Sequence, residues 1–228
     1  IRRKVNPHRE KRPGYIWAMD TITFSHRSDS GNKYLVVLRD MATGTYKLIP
    51  LYAKSDITEA FEEWVNDMRN DPLYQNMPYP MVCYVRTDNA GEWSYVNERW
   101  QDMCHRLSPH VNMQYVSPDR HAEENGYAEA ACQHVEIVVK SLLLQAGLPP
   151  QWWQACASDC EWLLNRMPVS SMDVAQPLDG DVVRPLEALT RGHISRRTID
   201  RQLSYYVPVG SLCLVHDARV KGSNLRPK

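Results

Sequence analysis

No run of apolar residues approaches the ~18 needed to cross a bilayer, and no leader pattern opens the 228-residue chain. A membrane partner is therefore not expected. The six cysteines, Cys83, Cys104, Cys132, Cys156, Cys160 and Cys213, form no CxxC pair. That argues against a zinc site or a disulfide framework and for buried or idle thiols in a reducing compartment. Glycine numbers only 10 and phenylalanine only 2, but seven tryptophans and twelve tyrosines exclude both a collagen-like repeat and a disordered chain. A charge of one sign is missing as well, with 27 basic against 27 acidic residues. Neutrality ordinarily disfavours a nucleic-acid partner, yet the charge is divided by segment. Residues 1–13 carry six Lys/Arg against one acid, for +5, and residues 184–228 carry nine against three, for +6. The body between them holds twelve basic and twenty-three acidic residues, for −11. An acidic body with two basic arms is the first pattern that asks for a function.

Residues 1–14 are basic, contain two prolines, show no apolar period and read as a linker or arm. The runs YIWAMDTITF, KYLVVLRDM and TGTYKLIPL are enriched in β-branched and aromatic residues and bounded by turn residues, which predicts a three-stranded meander. Ser55 is expected to cap a helix reaching Asn70, with Ile57, Ala60, Phe61, Trp64, Val65 and Met68 on one face. MVCYVRT reads as a buried fourth strand, residues 94–107 as a helix and VNMQYV as a fifth strand. A long helix is predicted from about Asn125 to Ala146, stopped by Gly147 and the prolines beyond, and a Trp-rich helix from Pro150 to Arg166. Trp152 and Trp153 on that helix could stack on bases or pack in the core, and a subunit interface is the favoured reading. GSLCLVHD reads as a late strand. The order β-β-β-α-β-α-β-α-α specifies an α/β domain with a mixed sheet. With Ile1 and Lys228 falling in mid-pattern, the chain reads as a piece of a longer polypeptide.

Three carboxylates stand in three different settings. Asp20 sits in the middle of the first strand, where a charge among Trp17, Met19 and Ile22 is costly to bury without a partner and is otherwise expected to face solvent. Asp88 sits where the buried strand MVCYVRT turns into DNAGEW. Ligands gather at such strand ends, although an Asx-turn would use the same residue. Glu129 falls in the first turns of the long helix, where the helix dipole alone favours an acid by ~0.3–1 kcal/mol. Acid oxygens are what Mg²⁺ or Mn²⁺ select, and two such ions can organise in-line phosphoryl chemistry.

WAMDTITF, RTDNAGEW and ENGYAE together resemble the three motif regions of a retroviral-type (DDE) integrase catalytic core, nearest the copia-like integrases of LTR retrotransposons. The resemblance covers residues 15–168, including the helix segment LLLQAGLPPQWWQACASDCEWLLNRMP. It implies an RNase H-like mixed five-stranded sheet flanked by helices. Residues 169–228 would then form a basic C-terminal extension, with the start of a small β-barrel. It implies Asp20, Asp88 and Glu129 as catalytic, metal-binding residues, with two Mg²⁺ or Mn²⁺ ions expected. The metals would activate water for 3′-end processing, then a 3′-hydroxyl for attack on target DNA, with no covalent enzyme intermediate. The implied partners are double-stranded DNA, as element ends and target, and further copies of the chain. The protein would be made in the cytoplasm within a polyprotein and act in the nucleus. Asn125 and Gly126 would lie on a loop touching the DNA end, and Lys140, Arg2, Arg3, Lys4, Arg196 and Arg197 are the expected phosphate contacts. His121 could shuttle a proton or be an ordinary loop histidine.

The chain departs from the family at two places. Forty residues separate Asp88 from Glu129, against about 35 in the family pattern, and the extra residues fall in PDRHAEEN, where insertion is cheap. Spacing alone selects Glu124, the fallback third acid; the ENGYAE context selects Glu129. Residues Ala130, Ala131, Cys132, Gln133 and Glu136 also stand where the family usually places Arg or Lys to grip phosphate. That leaves two alternatives to an active integrase: a non-enzymatic derivative that binds DNA or oligomerises, and a simple RNase H-like nuclease.

Overall fold

The computed structural model describes residues 10–88, 93–94, 96–115, 122–170 and 182–211, with the backbone alone for 122–125, 170 and 182. Five strands form one mixed sheet: β1 (Ile16–Thr23), β2 (Tyr34–Asp40), β3 (Tyr46–Leu51), β4 (Tyr84–Thr87) and β5 (Asn112–Tyr115), in the order β3-β2-β1-β4-β5. The three β-branched and aromatic runs make the antiparallel meander, and β4 and β5 add in parallel to β1. Side chains alternate across the sheet. Trp17, Met19, Val36, Leu38 and Val85 enter a core beneath α1 (Ile57–Asn70) and α2 (Glu98–Arg106). Ile22, Leu35, Val37 and Tyr46 enter a second core beneath α3 (Ala122–Ala146) and α4 (Trp153–Arg166). The layers are helices, sheet, helices, as expected for the mixed α/β class.

Three local expectations are corrected. Ser55 does not cap α1: a 3₁₀ turn over Lys54–Asp56 precedes the helix, and the Asp56 carboxylate accepts the Ala53 N–H at 2.9 Å. The 3₁₀ turn places Asp56, not Ser55, at the cap position of α1, and Ser55 donates its hydroxyl to the Asp56 carboxylate. The long helix begins at Ala122, earlier than Asn125, because Ala, Glu and Glu are good helix formers and acids suit a helix N-terminus. Asn125 and Gly126 therefore belong to the first two turns of α3, not to a preceding loop. Trp153 is core rather than interface. It is 1% exposed, stacks on Phe24 at 4.1 Å and donates its indole N–H to the His26 carbonyl. Trp152 stays at the surface.

Beyond α4, the short strands β6 (Val169–Ser170) and β7 (Val182–Val183) pair, and α5 (Pro185–Leu189) and α6 (Arg196–Ser204) follow. Leu189 joins the α1/α2 core. Tyr206 stacks on Trp162 of α4, and Asp159 accepts both the Tyr206 hydroxyl and the Val209 N–H at 2.8 Å. The described part of the extension is thus strapped to α4. Nearly all of GSLCLVHD lies outside the described residues. The five cysteines described, Cys83, Cys104, Cys132, Cys156 and Cys160, are buried and unpaired, as expected.

Candidate functional site

Across the parallel β1–β4 pair, Ile16 lies beside Tyr84, Trp17 beside Val85 and Ala18 beside Arg86. Carried two residues further along both chains, the same offset sets Asp20 beside Asp88, the first residue past β4. Trp17, Met19 and Val85 point into the α1/α2 core, so alternation turns Ala18, Asp20 and Arg86 to the opposite face, under α3. The register thus points a mid-strand acid and a strand-end acid, distant in sequence, toward one edge of the β1–β4 pair.

Each carboxylate is held locally. Asp20 is half-buried, and its Oδ1 accepts the Thr21 backbone N–H at 2.7 Å. Asp88 Oδ1 accepts the indole N–H of Trp93 at 3.0 Å, and that ring is 1% exposed, so a rigid buried donor fixes the carboxylate. Glu129 is exposed, two turns into α3. Cys132, one turn further, is buried with its thiol hydrogen-bonded to Asp20. Burial first, then the negative charges of Asp20 and Glu136, the hydrogen bond to Asp20 and the charge of Glu129 push that thiol far above its ordinary pKa. The contact between Cys132 and Asp20 ties this stretch of α3, with Glu129 one turn before it, to β1.

Hard oxygen donors of this kind suit Mg²⁺ or Mn²⁺, so the donor set fits a divalent cation in chemistry and in sheet placement. Among the described residues, however, no three His, Cys, Asp or Glu side chains are gathered tightly enough to hold an ion. Coordination by all three acids would require them to draw closer. The side chain of the fallback Glu124 lies outside the described residues, as do His121, Arg2, Arg3 and Lys4.

The other expected DNA contacts are dispersed. Lys140 is exposed on α3 and paired with Glu136 at 2.7 Å. Arg196, in the first turn of α6, meets Glu187 at 3.3 Å, and Arg197 is exposed beside it. Sequence reasoning missed Trp93 and Cys132 as partners of the acids. Trp93 had a detectable signal, a large aromatic five residues past Asp88; Cys132 was noticed only as the absence of a base. It also missed a cationic group under α3. Arg39 of β2 sits over the rings of Tyr46, at 5.1 Å, and Tyr127, at 4.6 Å. The Tyr46 hydroxyl lies 3.1 Å from His134 Nδ1.

No family model matches the chain. Among curated proteins it is 26% identical over 145 residues to the retrovirus-related Pol polyprotein from transposon RE2 of Arabidopsis thaliana, covering 64% of this chain. It is likewise 26% identical over 141 residues to the corresponding polyprotein from transposon TNT 1-94 of Nicotiana tabacum, covering 62%. The chain spans only 9 to 10% of the length of these relatives. Among solved structures, the HTLV-2 integrase catalytic core domain in complex with magnesium superposes with a TM-score of 0.53 at 15% identity, over 78% of this chain and 97% of that one. The integrase of a simian T-cell lymphotropic virus intasome in complex with PP2A regulatory subunit B56 gamma superposes with a TM-score of 0.57 at 14% identity, over 82% and 61%. The relatives in sequence are copia-like retrotransposon Pol polyproteins, and the fold is the RNase H-like fold of retroviral integrase catalytic cores.

Proposed function

We propose that this chain, related to copia-like Pol polyproteins and folded as an integrase core, is a polynucleotidyl transferase. It processes the 3′ ends of retroelement DNA and joins them to target DNA. The observation that supports the reading is the parallel β1–β4 register, which ends at Ala18 beside Arg86, two residues short of Asp20 and of Asp88. Asp20, Asp88 and Glu129 would hold Mg²⁺ or Mn²⁺, two ions in the full reading, which supply charge neutralisation and nucleophile activation at a phosphodiester. The chain's own side chains prepare that site. Trp93 fixes one oxygen of Asp88. Cys132, kept as a thiol by its surroundings, supplies Asp20 with a neutral partner instead of a competing cation. Glu129 stands exposed on α3, one turn before Cys132.

Double-stranded DNA is the proposed partner, as element ends and as target, with the chain acting as a homo-oligomer. The neighbouring structures, a trimeric magnesium complex and an intasome, support these proposals. Nuclear action after synthesis within a polyprotein is part of the same reading, supported by the Pol polyprotein relatives. No helix among the described residues is long and apolar enough to cross a membrane.

The test is Asp88→Asn in an oligonucleotide assay of end processing and strand transfer with Mg²⁺. Loss of both activities with DNA binding retained is the expected outcome, and either activity at the wild-type rate overturns the assignment. Wild-type protein that shifts DNA in a gel but stays inert in Mn²⁺ would instead support the scaffold reading.

A further inference from the structure

The integrase reading leaves a gap, because α3 lacks the basic residues that would hold a phosphate beside Glu129. Residues Ala130, Ala131, Cys132, Gln133 and Glu136 stand there instead. The sheet beneath α3 contains a cation that can fill the role.

Arg39 pairs with Ala18 across the antiparallel β1–β2 ladder, and Asp20 pairs with Val37. Val37 lies in the α3/α4 core, so Arg39, two residues along, shares its face and Asp20's. Arg39 and Asp20 are diagonal neighbours, a relation that sets residues roughly 7–8 Å apart, within reach of a long side chain. The guanidinium is half-buried, with its carbon 5.1 Å from the centroid of the Tyr46 ring and 4.6 Å from that of Tyr127. Both rings are themselves held. Tyr46 is buried and its hydroxyl meets His134, while the Tyr127 hydroxyl donates to the Asp40 carbonyl at 3.0 Å. Gly44 makes room, since a Cβ there would stand 3.3 Å from Arg39 Nη2, and its φ of +75° disfavours any side chain.

What the pocket does not supply is an acceptor. Arg39 Nε is buried with no hydrogen-bond partner, and among the described residues no carboxylate lies within ion-pairing distance of this guanidinium. Stacked rings cover a guanidinium's faces and leave its in-plane N–H edges as the polar outlet. A half-buried cation without a counter-charge is costly, and the cation–π contacts offset only part of that cost. A planar fork of donors held in place and lacking its acceptor matches the geometry of a phosphodiester, which binds such a fork bidentately. Exposed His134 lies next to the cluster and could donate to the same phosphate.

We propose that Arg39, set against the rings of Tyr46 and Tyr127, is a phosphate-binding residue that positions a DNA phosphodiester beside Asp20, in place of the basic residues missing from α3. The inference rests on the integrase reading and deepens it, since the phosphate bound is that of the DNA end.

The experiment measures equilibrium binding of the full chain to a fluorescent duplex between 50 and 200 mM salt. Wild type is compared with R39M, which keeps a flexible side chain against the rings, and R39K, which keeps the charge. Each phosphate contact contributes about 0.9 to the slope of log affinity against log salt. R39M is therefore expected to flatten the slope by about 1 and to weaken binding roughly tenfold at the low-salt end. R39K is expected to retain the slope while binding several-fold more weakly, because a point charge cannot replace the planar fork. A folded R39M with unchanged slope and affinity overturns the inference and leaves the integrase reading standing. Should R39M fail to fold, R39K binding as tightly as wild type overturns it equally. Wild type with no salt-dependent affinity for DNA overturns both readings, whereas loss of cleavage with binding retained in Asp88→Asn bears only on the catalytic acids.

Discussion

The edge of the sheet is guarded by side chains of α4, and removing one guard should loosen the fold measurably. β3 is an outer strand, and its residues Tyr46, Leu48 and Pro50 alternate outward, away from β2. An outer strand normally offers a free row of donors and acceptors to any passing chain. Here Asn165 accepts the Tyr46 N–H at 2.7 Å and donates to the Tyr46 carbonyl at 2.8 Å, acting as a surrogate strand residue. Glu161 accepts the Leu48 N–H at 2.8 Å and pairs with Lys47 at 3.3 Å. Pro50 has no N–H to offer. Asn165 is only 8% exposed, so water cannot readily replace it. Asn165→Leu keeps the volume but strands one donor and one acceptor, at ~1–3 kcal/mol each, for a loss of about 2–6 kcal/mol. Urea unfolding by tryptophan fluorescence, with the m-value held as a check on cohesion of the native state, reads that loss directly. The same variant should self-associate with rising concentration in size-exclusion runs, because its edge is reopened. Glu161→Gln is the control: the amide oxygen still accepts from Leu48, and losing the exposed pair with Lys47 should cost under about 1 kcal/mol. A loss below about 0.5 kcal/mol in Asn165→Leu, without association, would refute the reasoning.

Trp93→Phe removes the donor that fixes Asp88 while keeping an aromatic ring, and it should lower kcat roughly tenfold or more with DNA affinity unchanged, as measured in a single-turnover processing assay. Glu129→Gln should abolish processing and Glu124→Gln should leave it largely intact; the reverse pattern in the same assay would transfer the third role to Glu124. Asp40 is fully buried and its carboxyl is raised by burial from 3.8 to about 6, against the opposing hydrogen bonds from Thr43 and Gly14. A carboxyl raised in the folded state stabilises while protonated, so that stability is present below pH 4 and is lost as pH rises through about 6. The loss amounts to about 3 kcal/mol, and denaturant titrations at pH 4 and 7 should show it in wild type but not in Asp40→Asn. Truncation of residues 1–9, which hold four of the basic residues, should weaken DNA binding in a salt-dependent way, and unchanged affinity would remove the N-terminal arm from the binding surface.

How far the sequence carried depended on the range of the signal. The meander strands and the stripe Ile57, Phe61, Trp64 and Val65 are short-range patterns, and they appear where periodicity puts them. Errors arose where two local signals competed. Ser55 and Asp56 are both good caps, and a 3₁₀ turn moves the cap position of α1 from the first to the second. Ala122 to Glu124 read as loop because of the Pro and Asp before them, although their own propensity is helical. Trp152 and Trp153 are adjacent, hence on different faces of a helix, so no single role could suit both. One became core against Phe24 and the other surface.

The site divides along the same line. Motif context singled out Asp20, Asp88 and Glu129, but only the β1–β4 register points Asp20 and Asp88 toward one edge of that pair, and register is not written in either segment alone. Arg39 is the sharper case. In the run LVVLRD an arginine near a strand end reads as a solvent-facing residue, and nothing nearby marks it as a ligand. Its meaning comes from β2 lying antiparallel to β1, from Tyr46 on the next strand and from Tyr127 on a distant helix. The acidic body of the chain, −11 by count, would repel a polyanion wherever it exposed only carboxylates. A cation with no ion-pair partner among the described residues, set within the sheet on the face that carries Asp20, gives that body a point at which a phosphate is attracted. Charge counts along the sequence average such a point away, since a single Arg among twenty-three acids leaves the sum almost unchanged.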